Sequence, residues 1–338
     1  MVWKRPVWDT IWAQFGHKFP GGVVNDLPFP GEYFPATVPP SEWGPGDRDR
    51  PHNHALLKER DHYLLTVHGF TAGGFEATVR HVDAQRLEDM QLRPRGARKP
   101  IEERKPTDML RAVARAKKTV RHAVKEIGCD HLLTLTTREE ENDPLKLARQ
   151  WKEFVRQYRK YSGEAFPYVA VPERHPSNPK HWHLHAAVRG RLKLKIARRI
   201  WWNVCGGRGM GNVDVRYIKV GCHSGSGLPR GPLVRSEKIA RYISKYMTKD
   251  LLFAHRPDKK RYWRSEFDLP EARRYWLRTP ADYSDDSINK AFVEMRAMLG
   301  GISAARCSVF AFPDGSGFWL SYNPDNTDSH IFEEPPPF

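Results

Sequence analysis

HWHLHAAVR, residues 181–189, sets histidines on three alternate positions and follows them with an apolar run. Alternation is the strand period, because successive side chains leave opposite faces of a pleated chain. His181, His183 and His185 therefore share one face, and Trp182, Leu184 and Ala186 share the other. The apolar face calls for burial against helices. The histidine face calls for hydrogen-bond partners or a cation, and for an isolated His-x-His the hydrogen-bonding role is the commoner one.

The sequence on either side supplies the rest of a sheet. YVAVPER (168–174) precedes the histidine strand, joined to it by a turn over Pro176-Ser177-Asn178-Pro179. HLLTLTTR (131–138) alternates too, with Thr134 and Thr136 on one face and Leu133 and Leu135 on the other. NVDVRYIKV (212–220) reads as a fourth strand. Asp143-Pro144 opens a helix whose apolar stripe is Leu147, Trp151, Phe154, Val155 and Tyr158. LKLKIARRIWWNV (192–204) is a basic amphipathic helix stopped by Gly206-Gly207. The order βαββαβ predicts an α+β class, a ferredoxin-like split βαβ antiparallel sheet with helices on one face.

Around this body the pattern is looser. Thr107 is a plausible N-cap for a helix carrying Leu110, Val113, Val120, Val124 and Ile127 and ending at Gly128. A Gly/Ser-rich loop, GCHSGSGLPRGP (221–232), leads to a further helix, EKIARYISKYMTKD, capped by Ser236. Three spans are expected: a Pro/Gly-rich N-terminal arm (1–105), the sheet-and-helix domain (106–265), and a C-terminal extension with an acidic tail (266–338). The extension holds RRYWL, a helix near SINKAFVEMRAML and a hairpin, SVFAFPDGSGFWLSY.

Lys and Arg number 56 against 40 Asp and Glu, a formal net charge of +16. A soluble domain of that sign and size usually meets a polyanion, since each cation set on a phosphate releases condensed counterions. Four cysteines, Cys129, Cys205, Cys222 and Cys307, form no CxxC pair, so neither a disulfide framework nor a zinc finger is implied. No apolar run approaches the roughly 18 residues of a membrane span, and no secretory core is recognisable. No membrane contact and a cytoplasmic location are expected. Arg111, Arg115 and Lys118 on one helix and Arg198 and Arg199 on another are candidate phosphate contacts. Tyr262, Trp263, Tyr275 and Trp276, interleaved with arginines such as Arg264, can stack on unpaired bases or simply pack in a core.

Two imidazoles at i and i+2 on a rigid strand can reach one cation. The preceding strand offers a third ligand, Glu173 or His175. A turn over 176–180 would set His175 opposite His181 and Glu173 opposite His183, at the separation of a cross-strand pair. A register shifted by two would exchange Glu173 for His175. Glu173 is favoured, and a His/His/Glu set suits Mg²⁺ or Mn²⁺ with a phosphate substrate. On the later helix Y-x-x-K is written twice: Tyr242 to Lys245 and Tyr246 to Lys249. Tyrosines four apart lie on one face. A tyrosine hydroxyl, with an ordinary pKa of about 10, attacks well only where a cation favours the phenolate.

HLLTLTT, HWHLHAAV and YISKYMTK, in that order, resemble the three motifs of the HUH endonucleases, and most of all those of the two-tyrosine rolling-circle replication initiators of phages and plasmids. The resemblance spans roughly residues 107–265, including WWNVCGGRGMGNVDV and RYWRS. It implies that His183 and His185 hold the metal with an acidic or histidine third ligand, Glu173 or His175. It implies that Tyr246 and Tyr242 are paired nucleophiles, with Tyr246 making the initial cut and Lys245 and Lys249 beside them. Thr134 and Thr136 are further candidate DNA contacts, and His181, just outside the motif, is either a DNA contact or a bystander. The implied activity is a nick in single-stranded origin DNA through a 5′-phosphotyrosine adduct, leaving a 3′-hydroxyl primer for host helicase and polymerase in a bacterial cell. A relaxase or transposase would use the same chemistry. A non-catalytic nucleic-acid-binding module with structural zinc would use none of it.

Overall fold

The computed structural model describes residues 61–71, 73–82, 106–139, 143–175, 178–217, 232–249, 261–281, 284–300, 302, 307–312, 315–323 and 330–331. The chain divides into two compact units. One comprises Met1–Gly69, Gly74–Ala97 and Glu271–Pro335; the other comprises Phe70–Gly73, Arg98–Pro270 and Pro336–Phe338. The first two strands, β1 (His62–Gly69) and β2 (Phe75–Val82), pair antiparallel within the first unit.

The second unit contains the expected βαββαβ. Helix α1 (Pro106–Ile127) leads to β3 (His131–Thr137), α2 (Pro144–Ser162), β4 (Tyr168–His175), β5 (Asn178–Val188), α3 (Leu194–Cys205) and β6 (Gly211–Tyr217). Helix α4 (Pro232–Lys249) and the two-residue β7 (Trp263–Arg264) follow. The sheet order is β6-β3-β5-β4-β7, with every pair antiparallel. Each crossover helix thus returns the chain past one intervening strand, which is the split βαβ arrangement. Asp143 caps α2 by accepting from the Leu145 amide at 2.9 Å, with Pro144 at the first helical position.

The sheet has two apolar sides rather than one. On one face Leu133, Leu135, Trp182, Leu184 and Ala186 pack with Trp151 and Phe154 of α2 and Trp201 of α3. Two tryptophans tie α3 to the strands: Trp201 Nε1 donates to the Thr136 carbonyl at 2.8 Å and Trp202 Nε1 to the Gly211 carbonyl at 2.7 Å. A Cβ on Gly211 would stand 2.6 Å from Trp201 Nε1, so only glycine admits the indole there. On the opposite face Leu132, Val169, Val171 and Ala187 are roofed by Val120 and Val124 of α1 and Ile239 and Ile243 of α4. The expectation of helices on one face therefore holds for the crossover helices alone. Ser236, expected as an N-cap, lies inside α4 and is buried.

In the first unit the sheet order is β11-β9-β10-β2-β1-β8, built with β8 (Arg273–Pro280), β9 (Cys307–Ala311), β10 (Gly317–Tyr322) and β11 (His330–Ile331). Helix α5 (Asp285–Met298) lays Ala291, Phe292 and Met295 on a core of Tyr63, Leu65, Val79, Leu277, Phe318 and Leu320. Residues 62–82, grouped by the sequence with an unpatterned arm, are thus a hairpin at the centre of a sheet. Its partners β8 and β10 lie some two hundred residues on. The Gly/Ser loop with Cys222, and the acidic tail after residue 331, lie outside the described residues. Cys129, Cys205 and Cys307 are free thiols.

Candidate metal centre

Strand register brings the donors together. Glu173 of β4 stands opposite His183 of β5, Thr136 of β3 stands opposite His183, and Thr134 opposite His185. Paired residues face the same side, so Glu173, His183, His185, Thr134 and Thr136 form a polar patch beside the apolar strip under α1 and α4. The register shifts after Arg174, where His175 pairs with Asn178. β5 starts earlier than the sequence suggested, and His175 does not stand opposite His181 as expected. The His175 side chain lies outside the described residues.

His183 Nε2 and His185 Nε2 each lie 2.9 Å from the same oxygen, Glu173 Oε2. All three residues are buried. Their ligand atoms lie within 4.8 Å of one another, a group able to hold a metal ion. Thr134 Oγ1 lies 3.2 Å from His185 Nδ1. In the metal-free protein the neutral ring donates Nε2–H to Glu173, and Nδ1 accepts from the Thr134 hydroxyl. With a cation on Nε2 the proton would sit on Nδ1 and be donated to the same hydroxyl, which can accept as well as donate. The donor set of two imidazoles and a carboxylate, converging on one point, fits a divalent cation.

Electrostatics favours the ligating protonation states. Burial pushes the Glu173 carboxyl upward, but hydrogen bonds from His183 and His185 outweigh it and hold the pKa at about 2. Burial pushes His185 below its ordinary value, opposed by its hydrogen bond to Glu173. An ionised glutamate and a neutral imidazole are the forms a cation binds.

Helix α4 presents Tyr242 to this patch. Ile239, Ala240, Ile243 and Ser244 are buried against the unit's core, and Tyr242, on the flank of that stripe, is 37% exposed. Its ring lies 6.5 Å from the His185 ring, centroid to centroid, at an interplanar angle of 88°. A phenol that is accessible and next to the ligand set is open to a phosphate seated there. The side chains of Lys245, Tyr246 and Lys249 lie outside the described residues. Their helix is described, and it sets Tyr246 one turn beyond Tyr242.

Residues 130–251 match the family model for the ORF2-type replication-associated protein. This is a rolling-circle replication initiator family of the HUH endonuclease type. The matched segment runs from just before β3 through α4, so it takes in the ligand set and both tyrosines. The match supports a replication-associated role for the segment that carries the ligand set. Comparison with curated proteins and with solved structures gives no match.

The other residues singled out as replication-protein contacts fall in several places. Arg111, Arg115 and Lys118 are exposed on α1, and Arg199 is exposed on α3. Arg198 Nε donates to the Val213 carbonyl at 3.2 Å, and Arg264 Nη1 to the Phe267 carbonyl at 2.6 Å, so both guanidinium groups brace the protein's own backbone. Thr136 and His181 are half-buried. Thr134, expected to touch DNA, lies with its Oγ1 3.2 Å from His185 Nδ1, a supporting role that the sequence reading did not assign to it. The signal for that role was present in the alternation, which puts Thr134 on the histidine face, but only the observed register pairs it with His185. Among the described residues no helix is long and apolar enough to cross a membrane.

Proposed function

We propose that this protein initiates rolling-circle replication by nicking single-stranded origin DNA through a tyrosine, in the cytoplasm of a bacterial host. The observation that carries the reading is the Tyr242 ring standing edge-on, 6.5 Å from His185, beside the Glu173–His183–His185 group. Glu173, His183 and His185 would hold a divalent cation, Mg²⁺ or Mn²⁺, which when bound would supply positive charge to polarise a phosphate and offset the charge growing in the transition state.

The chain's own groups do the rest. Thr134 orients the His185 ring through Nδ1 and would accept the Nδ1–H when Nε2 ligates. A tyrosine hydroxyl loses its proton and attacks phosphorus in line; the P–Oη bond forms as the P–O3′ bond breaks. The leaving oxygen takes up a proton and becomes a free 3′-hydroxyl, while the 5′-phosphate stays on the tyrosine. The exchange conserves bond energy, so no nucleotide hydrolysis is required. That accords with the absence of a GxxxxGK[ST] loop from the sequence. Tyr246 makes the first cut, and Tyr242, one helical turn away, cleaves the regenerated origin. Lys245 and Lys249 neutralise the attacked phosphate. The 3′-hydroxyl primes synthesis by host polymerase, with host helicase opening the duplex.

The test is to mix the protein with single-stranded origin DNA and Mn²⁺ and look for a complex that survives denaturation. Changing Tyr242→Phe and Tyr246→Phe together abolishes it. An adduct that persists in the double variant refutes the nucleophile assignment. Chelation removes the adduct and leaves DNA binding intact; loss of the fold on chelation favours structural zinc instead.

A further inference from the structure

Away from the ligand set, the second unit has a cleft of about 830 Å³ between the first turns of α2 and the edge strand β7. Its lining includes the aromatic residues Trp151, Tyr168, Tyr262 and Trp263. Tyr262 and Trp263 are half-buried, and Leu145 at the cleft is 45% exposed. Trp263 packs against the core under α2 and α3 and Tyr262 against the core under α1 and α4, and part of each side chain stays exposed. Lone apolar residues on a surface are ordinary, but several lining one concavity mark a binding site.

The charge in the cleft is positive. Arg149 and Lys152, one α2 turn apart, are exposed, and Arg149 makes only a loose ionic contact with Asp143 at 3.8 Å. Glu266 is the one carboxylate among the described lining residues. Arg264 stacks over the Phe267 ring at 4.7 Å with its guanidinium hydrogen-bonded to the backbone, which makes it a fixed wall.

The sheet edge ties this cleft to the nuclease face. Trp263 pairs with Ala170, on the face covered by α2 and α3, and Arg264 pairs with Val169, on the face of Glu173. From Val169 to Glu173 is four strand residues, about 13 Å. A strand leaving the ligand set and rounding the edge at β7 meets the cleft within a few nucleotides.

We propose that this cleft is a subsite for unpaired bases of the single strand flanking the nick, stacked on Tyr262 and Trp263 with their phosphates held by Arg149 and Lys152. The proposal rests on the nicking reading for the strand's origin, but the cleft can bind whether or not the strand is cut. An aliphatic ligand would need no cations at the rim, and a folded protein partner would need a flatter, larger face. A flat ring joined to an anion satisfies both features together, and stacking on aromatic side chains tolerates any base.

The test uses single-stranded oligodeoxynucleotides carrying 5-iodouracil, irradiated on the full-length protein, with the crosslinked peptides identified by mass spectrometry. The crosslink falls on Tyr262 or Trp263. Arg149→Glu combined with Lys152→Glu weakens single-strand affinity at least tenfold and lowers the slope of log affinity against log salt by about two. Circular dichroism of that surface variant matches the parent. Crosslinks that map elsewhere, together with unchanged affinity and salt slope, overturn the subsite. A wild-type protein that forms no tyrosine adduct yet crosslinks at these residues refutes the nicking reading and leaves the subsite standing. An adduct without the crosslink does the reverse.

Discussion

Glu173→Gln keeps the shape of the side chain and removes its charge. The carboxyl titrates at about 2 in the folded protein, against about 4.3 for a glutamate in an unfolded chain. The difference of a little over two units corresponds to about 3 kcal/mol of stability, at 1.36 kcal/mol per unit. The folded pKa is the lower one, so this stabilisation is fully present above about pH 4.3 and is lost as the pH falls towards 2. Glutamine resembles the protonated acid. The variant is therefore less stable than the parent by up to about 3 kcal/mol at pH 7, and the gap closes on acidification. His185 adds a separate limb: its folded pKa is lowered by burial, so the unfolded imidazole takes up its proton first and stability declines as the pH falls below about 6.5. Glutamine removes the partner that opposes this shift, and the limb deepens. Urea denaturation in chelator at pH 7, 5 and 3, followed by tryptophan fluorescence, measures all of this. A stability gap that is the same at every pH, or a variant more stable than its parent at pH 7, refutes the assignment of Glu173 as an ionised acceptor for both histidines. Repeating the pH 7 experiment with Mn²⁺ tests the ligand set: a cation at a hundred times its Kd stabilises the parent by about 2.7 kcal/mol and Glu173→Gln hardly at all.

Thr134→Val keeps the shape of the strand residue but deletes the oxygen 3.2 Å from His185 Nδ1. Mn²⁺ affinity by isothermal titration falls about 10- to 100-fold, the usual cost of losing such a support, with the melting curve of the metal-free protein little changed. Gly211→Ala puts a methyl group 2.6 Å from Trp201 Nε1 and 2.9 Å from the Thr136 carbonyl. The indole must withdraw from a fully buried position and lose its hydrogen bond, so unfolding free energy drops by about 1–3 kcal/mol and the tryptophan emission shifts to the red.

The second unit was legible because its signals are local. Alternation in 131–137 and 181–188, the Asp143-Pro144 start and the Leu147–Trp151–Phe154 stripe each need only a few neighbouring residues to be read, and together they name the fold. The Glu173–His183 pairing was legible for the same reason: the two strands are joined by a short turn, so counting back from either end fixes the register of the ladder. That counting failed at His175, where the ladder shifts, since a shift depends on how two strands twist and not on residue type. The first unit was hidden for the opposite reason. HYLLTVHG and FEATVRHV alternate as strands do, but alone they make a two-stranded ribbon with too little apolar area to stand. What stabilises them is β8, β10 and the apolar side of α5, encoded after residue 271. The roof over the histidine face was hidden in the same way. Ile239 and Ile243, four residues apart, share one helix face, but local spacing does not say which surface that face covers. That choice is decided by Leu132, Val169, Val171 and Ala187, an apolar strip sharing a face with the polar ligand set. The strip fixes α4 laterally, and it is this docking that delivers Tyr242 to His185. The apolar half of one sheet face thus sets the geometry of the chemistry on its polar half. Shortening Ile239 or Ile243 should therefore loosen the tyrosine from the ligand set before it unfolds the sheet.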